Sequence, residues 1–139
     1  MAKRRILIVD DEAGFARLAK LNLEGTGRYE VCDVHDGAEA LEAARAFHPE
    51  VVVLDVVMPG LDGGQVAAQL RTRNTDGRPC FIIFVSAMSR SHAIENLGAQ
   101  DAVCPFLSKP VSLEALVGCI EQQLAPAQRT DQQHRRETR

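Results

Sequence analysis

Asp10 and Asp11 close a short aliphatic run, Ile6-Leu7-Ile8-Val9, and Asp55 closes a second, Val51-Val52-Val53-Leu54. Ser86 follows a third, Phe81-Ile82-Ile83-Phe84-Val85, and Lys109 follows the irregular stretch from Val103 to Ser108. A carboxylate buried without a partner either costs folding free energy or neutralises itself by a pKa shift. An aspartate at the end of an apolar run is therefore best placed where a strand stops and faces a cleft. Three carboxylates within a few ångströms repel one another unless a cation neutralises them. A hard, oxygen-seeking ion such as Mg²⁺ suits them, being held by carboxylates, waters and phosphate oxygens, and no Cys/His set stands nearby to favour zinc. Lys109 adds a positive charge and Ser86 a neutral donor. This is equipment for phosphoryl transfer, in which the protein positions groups and stabilises charge, with Asp55 as the carboxylate nucleophile. Taken singly, each residue has a plainer role: Asp10 and Asp11 cap the first helix, Asp55 turns the chain, and Lys109 is a solvated charge. The convergence of four strand ends sets the functional role above these.

The elements that must position these residues are legible as alternating patterns. The three aliphatic runs, with the weaker Tyr29-Glu30-Val31, read as strands covered on both faces. Val103 to Ser108 contains Pro105 and suits a sheet edge. Five helical stretches lie among them. The first carries Phe15, Leu18, Ala19, Leu21 and Asn22 and ends at Gly25-Thr26-Gly27. The second carries Ala38, Ala40, Leu41 and Ala44, enters through Asp36-Gly37 and ends before Pro49. The third carries Val66, Ala67 and Leu70 behind Asp62 as N-cap. Ser91 to Gly98 is a shorter fourth. The fifth starts at an N-capping Ser112, carries Leu113, Leu116, Val117, Ile120 and Leu124, and ends at Pro126. Strands alternating with helices predict an α/β doubly wound parallel sheet, whose ligands bind outside the carboxyl ends of the strands.

Composition bounds the rest. With 139 residues, 45% apolar and 25% charged, one globular domain is expected. A formal charge of -3 gives no general attraction to nucleic acid or to an anionic membrane. The four cysteines, Cys32, Cys80, Cys104 and Cys119, are too dispersed for a metal site or a disulfide framework, which favours reduced thiols and a cytoplasmic setting. The apolar run near the N-terminus is too short for a signal peptide or a membrane span. The segment after Leu124, with four arginines against Asp131 and Glu137, reads as a disordered basic tail or a truncated linker, leaving residues 1–124 as the domain.

At ILIVDDE (6–12), DGAEAL (36–41), VVVLDVVMPGLDG (51–63), FVSA (84–87) and FLSKP (106–110), the chain resembles the receiver domain of two-component response regulators. The resemblance implies a flavodoxin-like, CheY-like sheet of five parallel strands in the order 2-1-3-4-5, flanked by five helices. It implies that Asp55 accepts a phosphoryl group from the phosphohistidine of a sensor histidine kinase or phosphotransfer protein. It implies that Asp10, Asp11, Asp55 and the backbone carbonyl of Val57 hold Mg²⁺, and that Ser86 and Lys109 contact the phosphoryl oxygens. A cis Lys109-Pro110 bond is implied as well. Ser86 and Phe106 would form the switch, the aromatic ring rotating inward behind the hydroxyl. Phenylalanine lacks the polar anchor a tyrosine has in the outward state. Receivers often carry a Gly-Ala-Asp run before this aromatic; here AVCP stands there, so an unusual loop is expected after a short fourth helix.

The expected protein is a stand-alone phosphorylatable receiver, not an enzyme beyond its own phosphorylation and dephosphorylation. Its partners are a kinase, a downstream protein target and, in one variant, a second copy of itself. Three alternatives remain open: a receiver fragment of a larger regulator or hybrid kinase, a docking module that works without phosphorylation, and a phosphatase with an aspartyl-phosphate intermediate. Phosphatases resembling the haloacid dehalogenase family carry DxD after the first strand, where this chain has DDE.

Overall fold

A computed structural model describes residues 3–58, 61–72, 80–95, 97 and 104–125. The strands β1 (Arg4–Val9), β2 (Tyr29–Val34), β3 (Val51–Asp55), β6 (Phe81–Ser86) and β7 (Phe106–Ser108) form one sheet in the order β2-β1-β3-β6-β7. Every pairing in it is parallel. Counted along the chain, these five strands have the expected order 2-1-3-4-5. Two further short strands, β4 (Val57–Met58) and β5 (Leu61–Asp62), make an antiparallel ribbon directly after β3. Among the described residues there are five helices: α1 (Ala13–Gly25), α2 (Gly37–Phe47), α3 (Gly63–Thr72), α4 (Arg90–Ile94) and α5 (Leu113–Gln123).

Alternation within the strands divides the core into two layers. Leu7, Val9, Val52, Leu54, Ile82 and Phe84 turn to one face and pack with Ala40 of α2, Val66, Ala67 and Leu70 of α3 and Ala93 of α4. Ile6, Ile8, Val51, Val53, Ile83 and Val85 turn to the other and pack with Ala16, Ala19 and Leu23 of α1 and Leu116 and Ile120 of α5. The period of two sends neighbouring side chains to opposite layers, so a run with no polar break is what a doubly covered strand requires. Each fully buried aliphatic side chain contributes about 1.5–3 kcal/mol relative to exposure.

Side-chain caps start three helices. Asp36 accepts from the Ala38 N–H at 2.9 Å, Ser89 from the His92 N–H at 3.4 Å, and Ser112 from the Ala115 N–H at 3.1 Å. Asp62 stands immediately before α3 as expected. The carbonyl of Pro105 accepts from the Phe84 N–H at 2.9 Å, and β7 is an edge strand, the position in which a missing proline donor is tolerated.

Three sequence readings are corrected. The apolar stripe of α1 does not face the core through Leu18 and Leu21, whose exposures are 60% and 62%; small Ala16 and Ala19, with Leu23, fill that side. Close approach of a helix to a sheet selects alanine, whereas hydrophobicity alone selects leucine. Leu113 is likewise exposed at the entrance of α5. The expected fourth helix, Ser91 to Gly98, is observed as Arg90–Ile94; its expected end at Gly98, the loop before Cys104 and the tail from Pro126 lie outside the described residues.

Candidate functional site

Strand ends bring the chemistry together. Asp10 directly follows β1, and its amide donates to the Val34 carbonyl at 3.1 Å, which extends the β1–β2 ladder by one residue. Asp55 is the last residue of β3, in register with Val85. Ser86 closes β6 opposite Ser108, and the Lys109 amide donates to the Ser86 carbonyl at 2.8 Å. The peptide bond between Lys109 and Pro110 is cis, as the resemblance implied. Parallel strands point their carboxyl ends the same way, so residues far apart in sequence share one rim.

The site is acidic, and its inner groups are buried. Asp10 is fully buried, Asp55 and Ser86 are nearly so, and Asp11 is exposed at the mouth. One carboxylate oxygen from each of Asp10, Asp11 and Asp55 lies within 4.8 Å of the others. Lys109 Nζ stands among them, 2.8 Å from Asp10 Oδ2 and 3.5 Å from Asp55 Oδ2. Burial alone lowers the Lys109 pKa, but contacts with Asp10 and Glu12 and the charge of Asp55 outweigh it and hold the ammonium above the ordinary lysine value.

The donor set fits a hard divalent cation. All three side chains offer oxygen, and Asp10 Oδ2 is buried without a hydrogen bond, its ion-pair contact with Lys109 lying off hydrogen-bonding directions. Three carboxylates, those of Asp10, Glu12 and Asp55, surround this ammonium, and Asp11 adds a fourth negative charge beside Asp10 and Asp55, so a further cation relieves a real excess of negative charge. The fourth expected ligand, the Val57 carbonyl, belongs to the backbone of the ribbon that follows Asp55. Gly63 holds this ribbon close: a Cβ there would stand 2.9 Å from the Val56 carbonyl oxygen and 3.2 Å from that of Asp55.

Ser86 Oγ accepts from the Met88 N–H at 2.9 Å, which fixes the oxygen and leaves its own proton free to donate. Phe106 is half-buried against the layer that contains Phe84. Sequence reasoning overlooked two residues. Glu12 Oε1 lies 2.7 Å from Lys109 Nζ, and the Phe15 ring centroid lies 4.8 Å from the same nitrogen. A signal for Glu12 existed: it occupies the N-cap of α1, where serine, threonine, aspartate and asparagine are preferred.

Comparison with known proteins agrees with this geometry. The family described as "Response regulator receiver domain" matches residues 6–121. Over 109 residues, the chain is 36% identical to the alkaline phosphatase synthesis transcriptional regulatory protein PhoP of Bacillus subtilis, covering 78% of this chain and 43% of that one. It is 38% identical over 113 residues to the response regulator MprA of Mycobacterium ulcerans, covering 81% and 47%. The chain thus spans about half the length of the curated relatives it matches. The signal receiver domain of the putative response regulator NarL from Mycobacterium tuberculosis superposes with a TM-score of 0.70 at 30% identity, covering 88% of this chain and 96% of that one. A CheY-like receiver domain protein from Methanospirillum hungatei superposes with a TM-score of 0.78 at 22% identity, covering 93% and 99%, a likeness of fold. The chain belongs to the response regulator receiver domain family, the phosphorylation-controlled signalling switches of two-component systems.

Proposed function

We propose that Asp55 is the phosphoacceptor of this receiver, and that its phosphorylation changes which proteins the domain contacts. The observation that carries the reading is a nearly buried carboxylate at a strand end, within 4.8 Å of two other carboxylates and 3.5 Å from an ammonium. An Asp55 oxygen attacks phosphorus in line with the phosphorus–nitrogen bond of a phosphohistidine. That bond breaks, and the imidazole departs with the electron pair and takes up a proton. Asp10, Asp11, Asp55 and the Val57 carbonyl would hold Mg²⁺, which when bound would supply positive charge to the carboxylates and the transferring group. Lys109 pairs with one phosphoryl oxygen, and the Ser86 hydroxyl donates to another. Drawing Ser86 inward vacates space beside β7 into which Phe106 rotates, so the surface around β7 and α5 reports the state of Asp55. The domain promotes only its own phosphorylation and the later hydrolysis of its acyl phosphate.

The donor is a sensor kinase or a phosphotransfer protein. Leu18 and Leu21, exposed on the same α1 whose first turns border the pocket, provide the apolar surface on which such a protein rests during transfer. We assign the exchange to the cytoplasm, where the thiols of Cys32, Cys80, Cys104 and Cys119 remain reduced. No helix among the described residues is long and apolar enough to cross a membrane.

The test is intact-mass measurement after incubation with Mg²⁺ and acetyl phosphate. One phosphoryl adduct is expected, abolished by Asp55→Asn. An unmodified wild-type protein with both a small-molecule and a kinase donor overturns the reading.

A second reading concerns context. The matched relatives PhoP and MprA are named as a transcriptional regulatory protein and a response regulator, and this chain spans about half of each. On that reading the residues are the receiver portion of a transcriptional regulator, and output passes to an attached DNA-binding unit. Sequencing the complete transcript distinguishes the two.

A further inference from the structure

Glu12 does no work in the phosphoryl transfer just described, yet its contacts are specific. It occupies the N-cap of α1 and makes no side-chain capping hydrogen bond there. Glutamate is not among the residues preferred at that position, because its longer side chain reaches the first amides poorly. Its backbone N–H donates to Asp10 Oδ1 at 2.9 Å, and its carboxylate accepts from Lys109 Nζ at 2.7 Å, across 97 positions of sequence.

Lys109 Nζ is fully engaged. Glu12 and Asp10 take it at 2.7 and 2.8 Å, Asp55 stands at 3.5 Å, and the Phe15 ring closes the remaining side at 4.8 Å. Lys109 is 9% exposed, whereas the Glu12 side chain is 63% exposed. A phosphoryl oxygen on Asp55 must displace one of these partners to gain the ammonium. Asp10 is buried and its other oxygen already accepts the Glu12 amide; Glu12 alone among the close carboxylates lies largely in water, where release leaves it solvated.

Building on the assignment of Asp55 as phosphoacceptor, we propose that Glu12 is a positioning residue that holds Lys109 back from Asp55 in the resting domain and gives it up on phosphorylation. Glu12 thereby sets how readily the switch closes. A role confined to the α1 dipole, which also favours a carboxylate at this end, predicts a change in melting temperature and no change at Lys109.

The test is titration with beryllofluoride, a mimic of the aspartyl phosphate, at saturating Mg²⁺ and read by fluorine NMR. Wild type, Glu12→Gln, Glu12→Ala, the remote exposed control Glu42→Gln and Asp55→Asn are compared. Wild-type binding that Asp55→Asn abolishes upholds the phosphoacceptor assignment independently. Glu12→Gln and Glu12→Ala are then expected to tighten the apparent Kd about two- to fivefold, the size of a partly exposed ion pair, with Glu42→Gln at the wild-type value. The Lys109 ammonium resonance of the unliganded, nitrogen-15-labelled protein moves in both Glu12 variants and not in the control. Unchanged or weakened beryllofluoride binding in both Glu12 variants overturns the role of Glu12 and leaves Asp55 untouched. Absence of Asp55-dependent binding in the wild type overturns both.

Discussion

Lys109 Nζ lies closer to Glu12 and Asp10, at 2.7 and 2.8 Å, than to Asp55, at 3.5 Å. The ammonium proposed to serve the transferring group thus neutralises the rim of the pocket. Its position makes it both a stabilising counter-ion and a reserve of charge, and the two roles separate experimentally.

Replacing Lys109 by methionine leaves Asp10 and Asp55 buried without their ammonium. Breaking one side of a buried ion pair costs about 3 kcal/mol or more, so the urea midpoint falls sharply without metal. Mg²⁺ in the proposed site would supply the missing charge, so its addition should raise the melting temperature more in Lys109→Met than in wild type. Equal metal-induced shifts in the two proteins contradict this.

Gly63 controls the ribbon after Asp55. In Gly63→Ala the added Cβ meets the Val56 carbonyl oxygen at 2.9 Å and the Val56 Cα at 3.0 Å, both backbone atoms that cannot rotate aside. The ribbon must shift, at a cost of about 1–3 kcal/mol, and the Val57 carbonyl shifts with it. Weaker Mg²⁺ affinity together with a lower melting temperature is expected, both measured by calorimetry.

Leu18 and Leu21 are exposed, so polar replacement changes stability by less than about 0.5 kcal/mol. The double variant Leu18→Asp/Leu21→Asp should accept phosphate from acetyl phosphate at the wild-type rate. Transfer from a phosphorylated histidine donor protein slows about five- to tenfold, or more if these leucines form the centre of the contact. Equal slowing with both donors points to a damaged pocket instead.

His48 ends α2 with a left-handed backbone, φ 54°, a conformation that glycine adopts without steric cost. His48→Gly is expected to raise stability by about 0.5–1 kcal/mol. The converse holds at Gly27, φ 79°, where Gly27→Ala lowers it by about 1 kcal/mol although no atom obstructs the new methyl. Chemical denaturation measures both.

Stability falls on the alkaline side. Burial raises the pKa of the Cys32 and Cys119 thiols, and burial followed by the charge of Glu121 raises that of the Tyr29 phenol. The net effect of its acidic neighbours likewise raises Lys109 despite burial. A folded pKa above the unfolded one means that the native state binds more protons, so unfolding becomes easier as pH rises. Their contributions are fully present below about pH 8.5, where even the thiols are protonated in the unfolded chain. They decline from there for the thiols and from about pH 10 for Tyr29 and Lys109. The urea midpoint should drop steadily between these values, and Tyr29→Phe should flatten the upper part of the slope.

The strands were legible because a parallel sheet covered on both faces tolerates no polar interruption, and the residues ending each run, Asp10, Asp55, Ser86 and Lys109, therefore stood out. The helix caps at Asp36, Ser89 and Ser112 differ in this respect: Ser112 is legible as a cap and Asp36 only as part of the entry to α2, while Ser89 displaces the expected start of the fourth helix by one residue. The facing of α1 was not legible. Its alanines and leucines both fit a helical period, and the choice between them rests on how near the helix lies to the sheet.

Sequence alone determined the alternation of elements, the identity of the acidic residues and their place at strand ends, because local pattern and burial fix these. Tertiary structure decided which carboxylate holds Lys109 and which face of α1 meets water. Those outcomes depend on distances between segments remote in the chain, Glu12 to Lys109 above all, and no local rule encodes them.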